Sequence, residues 1–144
     1  NPAGFLRLGA ILSKSIGITF EFEKANATGS FVRGWALVAE MGGAPVVDWQ
    51  GDVVSMDDLR GAAHEFVTNA RVSKAMHGGS KIGEVVESVL IDDDFAKAFN
   101  IADTRRGWWI GMRIDSEAVR KRVRSGELRM FSIGGRGVRQ KIED

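Results

Sequence analysis

The sequence has no cysteine, no tyrosine, two prolines and two histidines among its 144 residues. Without cysteine, a thiol nucleophile, a disulfide scaffold and a zinc ribbon are excluded, and nothing follows about redox compartment. Two histidines cannot build a three-His metal centre, and no metal or other cofactor is expected. No apolar run approaches the roughly 18 residues that a membrane span requires, so no membrane partner is expected. Charge of one sign is also lacking: 20 basic residues face 19 acidic ones, for a net charge of +1. That balance describes an ordinary soluble surface rather than a polyelectrolyte built to bind nucleic acid.

At this length one domain is the prior, and about two thirds of the unfolded chain's surface can be buried, so the core needs no staple. The charge is uneven along the chain. Residues 104–144 carry eleven basic and five acidic side chains. Most of the basic ones interleave with apolar positions, which favours the solvated faces of a helix and strands over a patch for an anionic partner.

The opening stretch sets Phe5, Leu8, Ile11 and Leu12 at helical spacing, but Arg7, Gly9 and Lys14 interrupt it. It lacks the continuous apolar core of a signal peptide and is expected to dock on the domain. Ile18, Phe20 and Phe22 alternate with polar residues as in a half-buried strand, and Phe31 to Met41 reads as a longer strand with Gly34 as its bulge. The two are expected to pair. After breaker clusters at 42–45 and 48–52, Ser55 and Asp58 resemble a capping box, which predicts a helix from about Met56 to Ala70.

Val72 to His77, a Gly78-Gly79-Ser80 turn and Ile82 to Ile91 read as a β-hairpin. Trp108 to Ile114 is a further strand, Ser116 can cap a short helix that Gly126 stops, and Leu128 to Ile142 is a last strand region broken by glycines. Six or so mostly antiparallel strands with one good helix predict a mostly β, α+β fold: a small barrel or sandwich with helices outside it.

Two positions stand out chemically. His77 meets a glycine turn, where the absence of side chains leaves room for a second chain's backbone. Ser132 is followed by Ile133, Gly134 and Gly135, whose exposed backbone N–H groups could form an oxyanion hole beside a hydroxyl nucleophile. A serine attacks a carbonyl only when a base removes its proton. His64 lies inside the predicted helix, which leaves His77 as the base. For the group that orients the imidazole, Glu84 would lie opposite His77 in a symmetric hairpin, Glu87 lies further along the strand, and Asp48 and Asp52 are alternatives whose better reading is turn stabilisation. Spacing does not rank these four.

The string Val47-Asp48-Trp49-Gln50-Gly51-Asp52-Val53-Val54, then His77, then Gly83-Glu84-Val85-Val86-Glu87-Ser88, resembles the prohead proteases of tailed phages. Gly107 to Gly111 and the run Gly126-Glu127-Leu128 to Phe131-Ser132-Ile133-Gly134-Gly135 resemble the XkdF-like branch of that family. The resemblance covers about Phe31 to Val138. It implies an assemblin-like closed antiparallel β-barrel surrounded by helices, with residues 31–144 as the protease domain and residues 1–30 as an arm or propeptide-like segment that includes the first strand.

The implied activity is a serine endopeptidase that cleaves scaffold and major capsid precursor proteins inside the procapsid, in the host cytoplasm, with self-association of the enzyme possible. Ser132 falls on the family's nucleophile and His77 on its histidine. Glu87, in the Val-Val-Glu-Ser string, is the favoured third member, with Glu84 and Asp52 as alternatives, and Gly134 and Gly135 supply the oxyanion N–H groups. The rival readings are an inactive capsid-assembly module that acts by binding, and a nucleic-acid binder using the basic C-terminal third. The second is disfavoured, because Trp108 and Trp109 are the sequence's one stacking-type aromatic cluster.

Overall fold

Three long strands, anticipated from their apolar content, form the centre of the sheet. In the computed structural model, which describes residues 5–9, 24–48, 51–69, 75–77 and 80–134, these are β3 (Phe31–Met41), β6 (Ser80–Ile91) and β7 (Arg105–Ile114). Around them lie β1 (Phe5–Gly9), β2 (Lys24–Ala25), β4 (Ala44–Pro45), β5 (Ala75–His77) and β8 (Met130–Gly134). The strand order is β2-β3-β7-β6-β5-β1-β8, with β4 on β3.

The run β2-β3-β7-β6 is antiparallel throughout. Between β5 and β1 the sheet turns parallel, and β1 then pairs antiparallel with β8. The fold is thus α+β, as expected, but two details are corrected. The sheet is mixed, and it is not closed into a barrel. Two short strands, β2 and β4, hold the outer edge of β3 at both ends. β8 packs close to β3, yet among the described residues no ladder joins them.

The expected helix is α1 (Met56–Asn69). Ser55 Oγ accepts from the Asp58 N–H at 3.0 Å, and Leu59, Ala63 and Phe66 are buried while Ala62 and Val67 are exposed. The short helix is α3 (Glu117–Arg124), capped by Ser116 and followed by Gly126 at φ +80°. One helix has no counterpart in the sequence reading, α2 (Asp93–Ala98). Asp92 caps it by accepting from Phe95 N at 2.8 Å, and Asn100, at φ 53°, ends it in the left-handed region that asparagine tolerates better than most residues.

The bulges of β3 also differ from expectation. Gly34 pairs regularly with Ile110, and the register shifts fall between Trp35 and Leu37 and between Val38 and Glu40. The expected strand at 18–23, most of the N-terminal stretch, Gly78, Gly79 and everything from Gly135 onward lie outside the described residues.

Apolar side chains pack on both faces of the central strands. On one face Ile110, Met112, Val32 and Phe131 are buried with α1 and α3 residues, and Phe66 meets Trp108 edge-on at 5.4 Å between ring centroids. On the other, Trp35, Val38 and Ile91 pack with Phe95, Ile101 and Trp109. Trp108 and Trp109 therefore anchor two different clusters rather than forming one stacking platform, as alternation along a strand requires.

Candidate active site

The backbone positions of the two proposed catalytic residues lie in the second half of the sheet. β1 stands between their strands. In the β1–β8 ladder Arg7 is level with Ser132, and in the β1–β5 ladder Arg7 is level with Met76, the residue before His77. Two strand spacings separate the β8 and β5 backbones, about 10 Å at the usual spacing. The sheet thus brings the Ser132 and His77 backbones to adjacent levels although 55 positions separate them in sequence. Gly134 ends β8, two residues beyond Ser132, and Gly135 lies outside the described residues.

The hairpin register corrects the symmetric turn that would set Glu84 opposite His77. His77 pairs with Ser80, Met76 with Lys81 and Ala75 with Gly83, with a register shift on the way. Glu84 therefore stands beyond the paired part of β5. Its Oε2 accepts from Arg113 Nη2 at 2.7 Å across the β6–β7 ladder.

Glu87 lies further still along β6. At a rise of about 3.3 Å per residue it is on the order of 20 Å from Ser80, the partner of His77. Arg33 Nε and Nη2 donate to Glu87 Oε1 and Oε2 at 2.7 and 2.8 Å, a bidentate pair. The pair spans two strand spacings, from β3 across β7 to β6, and it can do so because Gly111 lies between them: a Cβ there would come within 2.5 Å of Glu87 Oε1. Hydrogen bonding from Arg33 holds the Glu87 carboxyl below its ordinary range. What the sequence could not reveal is this partner, which sits 54 positions away.

Asp48 and Asp52 hold the turn before α1. Asp48 Oδ1 accepts from Asp52 N at 2.8 Å, Asp48 N donates to Asp52 O at 2.9 Å, and Gly51, at φ +80°, makes the reversal possible. Turn stabilisation, the reading preferred from sequence, is what these contacts do. His64 is an exposed residue on α1.

Five of the described basic residues of the C-terminal third are engaged within the fold. Arg106 Nε donates to Asp93, Arg113 to Glu84, Arg122 to Glu127, and Arg124 to Glu117 and the Thr28 carbonyl, while Arg120 Nε donates to the Ile114 carbonyl. Their arrangement is that of solvated faces tied to neighbouring carboxylates and carbonyls. Among the described residues no group of three or more His, Asp or Glu side chains is placed to hold a metal ion, and no helix is long and apolar enough to cross a membrane.

The described chain is an α+β domain with Ser132 on β8 and His77 two strands away on β5. A family model described as "Putative phage serine protease XkdF" matches residues 22–141, and the chain belongs to that family. Two proteins of Bacillus subtilis (strain 168) are similar to it. "Uncharacterized protein YqbD" is 34% identical over 92 residues, covering 62% of this chain and 27% of that protein. "Phage-like element PBSX protein XkdF" is 30% identical over 95 residues, covering 62% of this chain and 32% of that protein. The matched part thus spans about a third or less of these relatives' length. No solved structure matches the chain significantly.

Proposed function

We propose that this chain is the peptidase part of a phage serine endopeptidase that cleaves scaffold and major capsid precursor proteins during procapsid maturation. Ser132 attacks the scissile carbonyl while His77 takes the hydroxyl proton and later delivers it to the leaving amine. Backbone N–H groups near Gly134 and Gly135 stabilise the oxyanion, and water then hydrolyses the acyl-enzyme. In this reading the enzyme works inside the procapsid in the host cytoplasm, where further copies of the chain accompany it.

The observation that carries the proposal is family membership over residues 22–141 together with the ladders that put Ser132 and Met76, the residue before His77, on either side of Arg7. Glu87 is left out of the proposed machinery, because it stands on the order of 20 Å along β6 from Ser80, the partner of His77, whereas Glu84 follows Gly83 at the end of the β5–β6 ladder. Asp52 and Glu84 are the carboxylates to substitute when a positioning partner for His77 is sought.

The experiment is coexpression with the cognate scaffold and coat precursors. The wild-type chain in its full-length protein yields cleaved precursors, and Ser132→Ala leaves them intact. Equal processing by both would refute the assignment. Intact precursors in both, with capsids still assembled, would favour the binding-module reading.

A further inference from the structure

The strand that lies between the two proposed catalytic strands is, among the described residues, the one strand the family match does not include. The match begins at residue 22, whereas β1 is Phe5–Gly9. Leu6 and Arg7 pair in parallel with Ala75 and Met76 of β5, and Phe5 through Gly9 pair antiparallel with Gly134 through Met130 of β8. Every other described strand falls within the matched residues. Taken without β1, β5 and β8 would present two facing rows of unpaired N–H and C=O groups, which is the template that an added extended peptide satisfies.

We propose that this slot is the substrate site, that β5 and β8 take the substrate as an extended peptide strand running antiparallel to β8, and that β1 holds the place as a built-in pseudosubstrate. The inference rests on the protease reading above and specifies its substrate geometry and its control. Main-chain ladders supply affinity without demanding one sequence, and Arg7, level with Ser132, marks the register that a scissile segment takes. A strand on the same chain competes at an effective concentration on the order of mM. Only substrate at comparable local density displaces it, as when precursors are packed together in an assembly. Activity is thereby tied to the assembled state.

The absence of cysteine makes the test clean. Leu6→Cys combined with Ala75→Cys places two thiols on a register pair, and neighbouring-strand Cα spacings fall within the range that a disulfide accepts. Two probes are used on the full chain: a small fluorophosphonate, which needs only a working serine, and a peptidyl phosphonate carrying Phe-Leu-Arg, which also needs the slot. The oxidised staple should be labelled by the peptidyl probe at least about tenfold more slowly than the reduced form, the factor expected when the competent fraction falls tenfold. The small probe should label both forms.

Equal peptidyl labelling in the two states, or none in either while the small probe reacts, overturns the inference and leaves the protease reading standing. Failure of the small probe on every form overturns the protease reading, and this inference with it. A staple that does not form on oxidation contradicts the β1–β5 register and overturns the inference as well.

Discussion

The two halves of the sheet are built differently. β3, β6 and β7 are 11, 12 and 10 residues long, are packed on both faces, and are tied across their ladders by the Arg33–Glu87 and Arg113–Glu84 pairs. β1, β5 and β8 are 5, 3 and 5 residues long, include the sheet's parallel pairing, and carry Ser132 and His77. The long half is a framework whose side chains are occupied with one another. The short half is where backbone edges and reactive residue types meet, which is how rigid scaffolds commonly present function.

Substitutions can break this division or sharpen it. The largest effect is expected in the short half: Ser132→Ala or His77→Ala should lower peptidase turnover by about three orders of magnitude or more, with the unfolding midpoint nearly unchanged, as followed by product formation and thermal melts in parallel. The converse is expected in the framework. Ile110, fully buried in β7, should cost about 2–5 kcal/mol as Ile110→Ala, read from denaturant unfolding. A framework variant that folded normally yet lost turnover would blur the two halves.

Asp92 comes next. It caps α2 through Phe95 N and accepts from Arg60 Nη2 at 2.6 Å, so Asp92→Ala should lower stability by about 1–2 kcal/mol. The Phe95 N–H and then Arg60 hold its carboxyl below the ordinary range, and Arg105 does the same for Asp103. With folded values depressed, the stabilisation is fully present above the unfolded carboxylate range near pH 4 and is lost as pH falls through the lower folded values. An acid titration of the unfolding midpoint should therefore fall less steeply for Asp92→Asn than for wild type.

The smallest effect is expected at the surface pair. Glu87→Gln should cost less than about 1 kcal/mol, because both partners are exposed to solvent over more than two fifths of their side-chain surface. It should leave turnover within about twofold, the scatter of a surface change. A hundredfold loss of turnover would move Glu87 from the framework into the catalytic half.

Much of the framework was legible in the sequence because its signals are local. Ser55 with Asp58 announced α1, Ser116 with Gly126 bounded α3, and apolar content marked β3, β6 and β7. The six-residue α2 escaped because one Asp cap and an Asn terminus carry little periodicity. Closure into a barrel, the symmetric hairpin and the bulge at Gly34 failed for a different reason. Each depends on register, and register is set by pairings between distant strands and by shifts such as that between Ala75 and Met76. The same holds at the candidate site: residue types singled out Ser132 and His77, whereas Arg33, the residue that binds Glu87, is invisible to any reading by spacing. The helical spacing at Phe5 and Leu8 likewise gave way to a strand once β5 and β8 offered edges to pair with.

The central claim is that Ser132 is an activated nucleophile and His77 its base. It is tested most directly by exposing the wild-type chain, Ser132→Ala and His77→Ala to a fluorophosphonate and mapping the adduct by mass spectrometry. The account predicts one adduct on the peptide containing Ser132 in the wild type, none in Ser132→Ala and sharply slowed formation in His77→Ala. An unmodified wild-type chain, or equal labelling of wild type and His77→Ala, would contradict it.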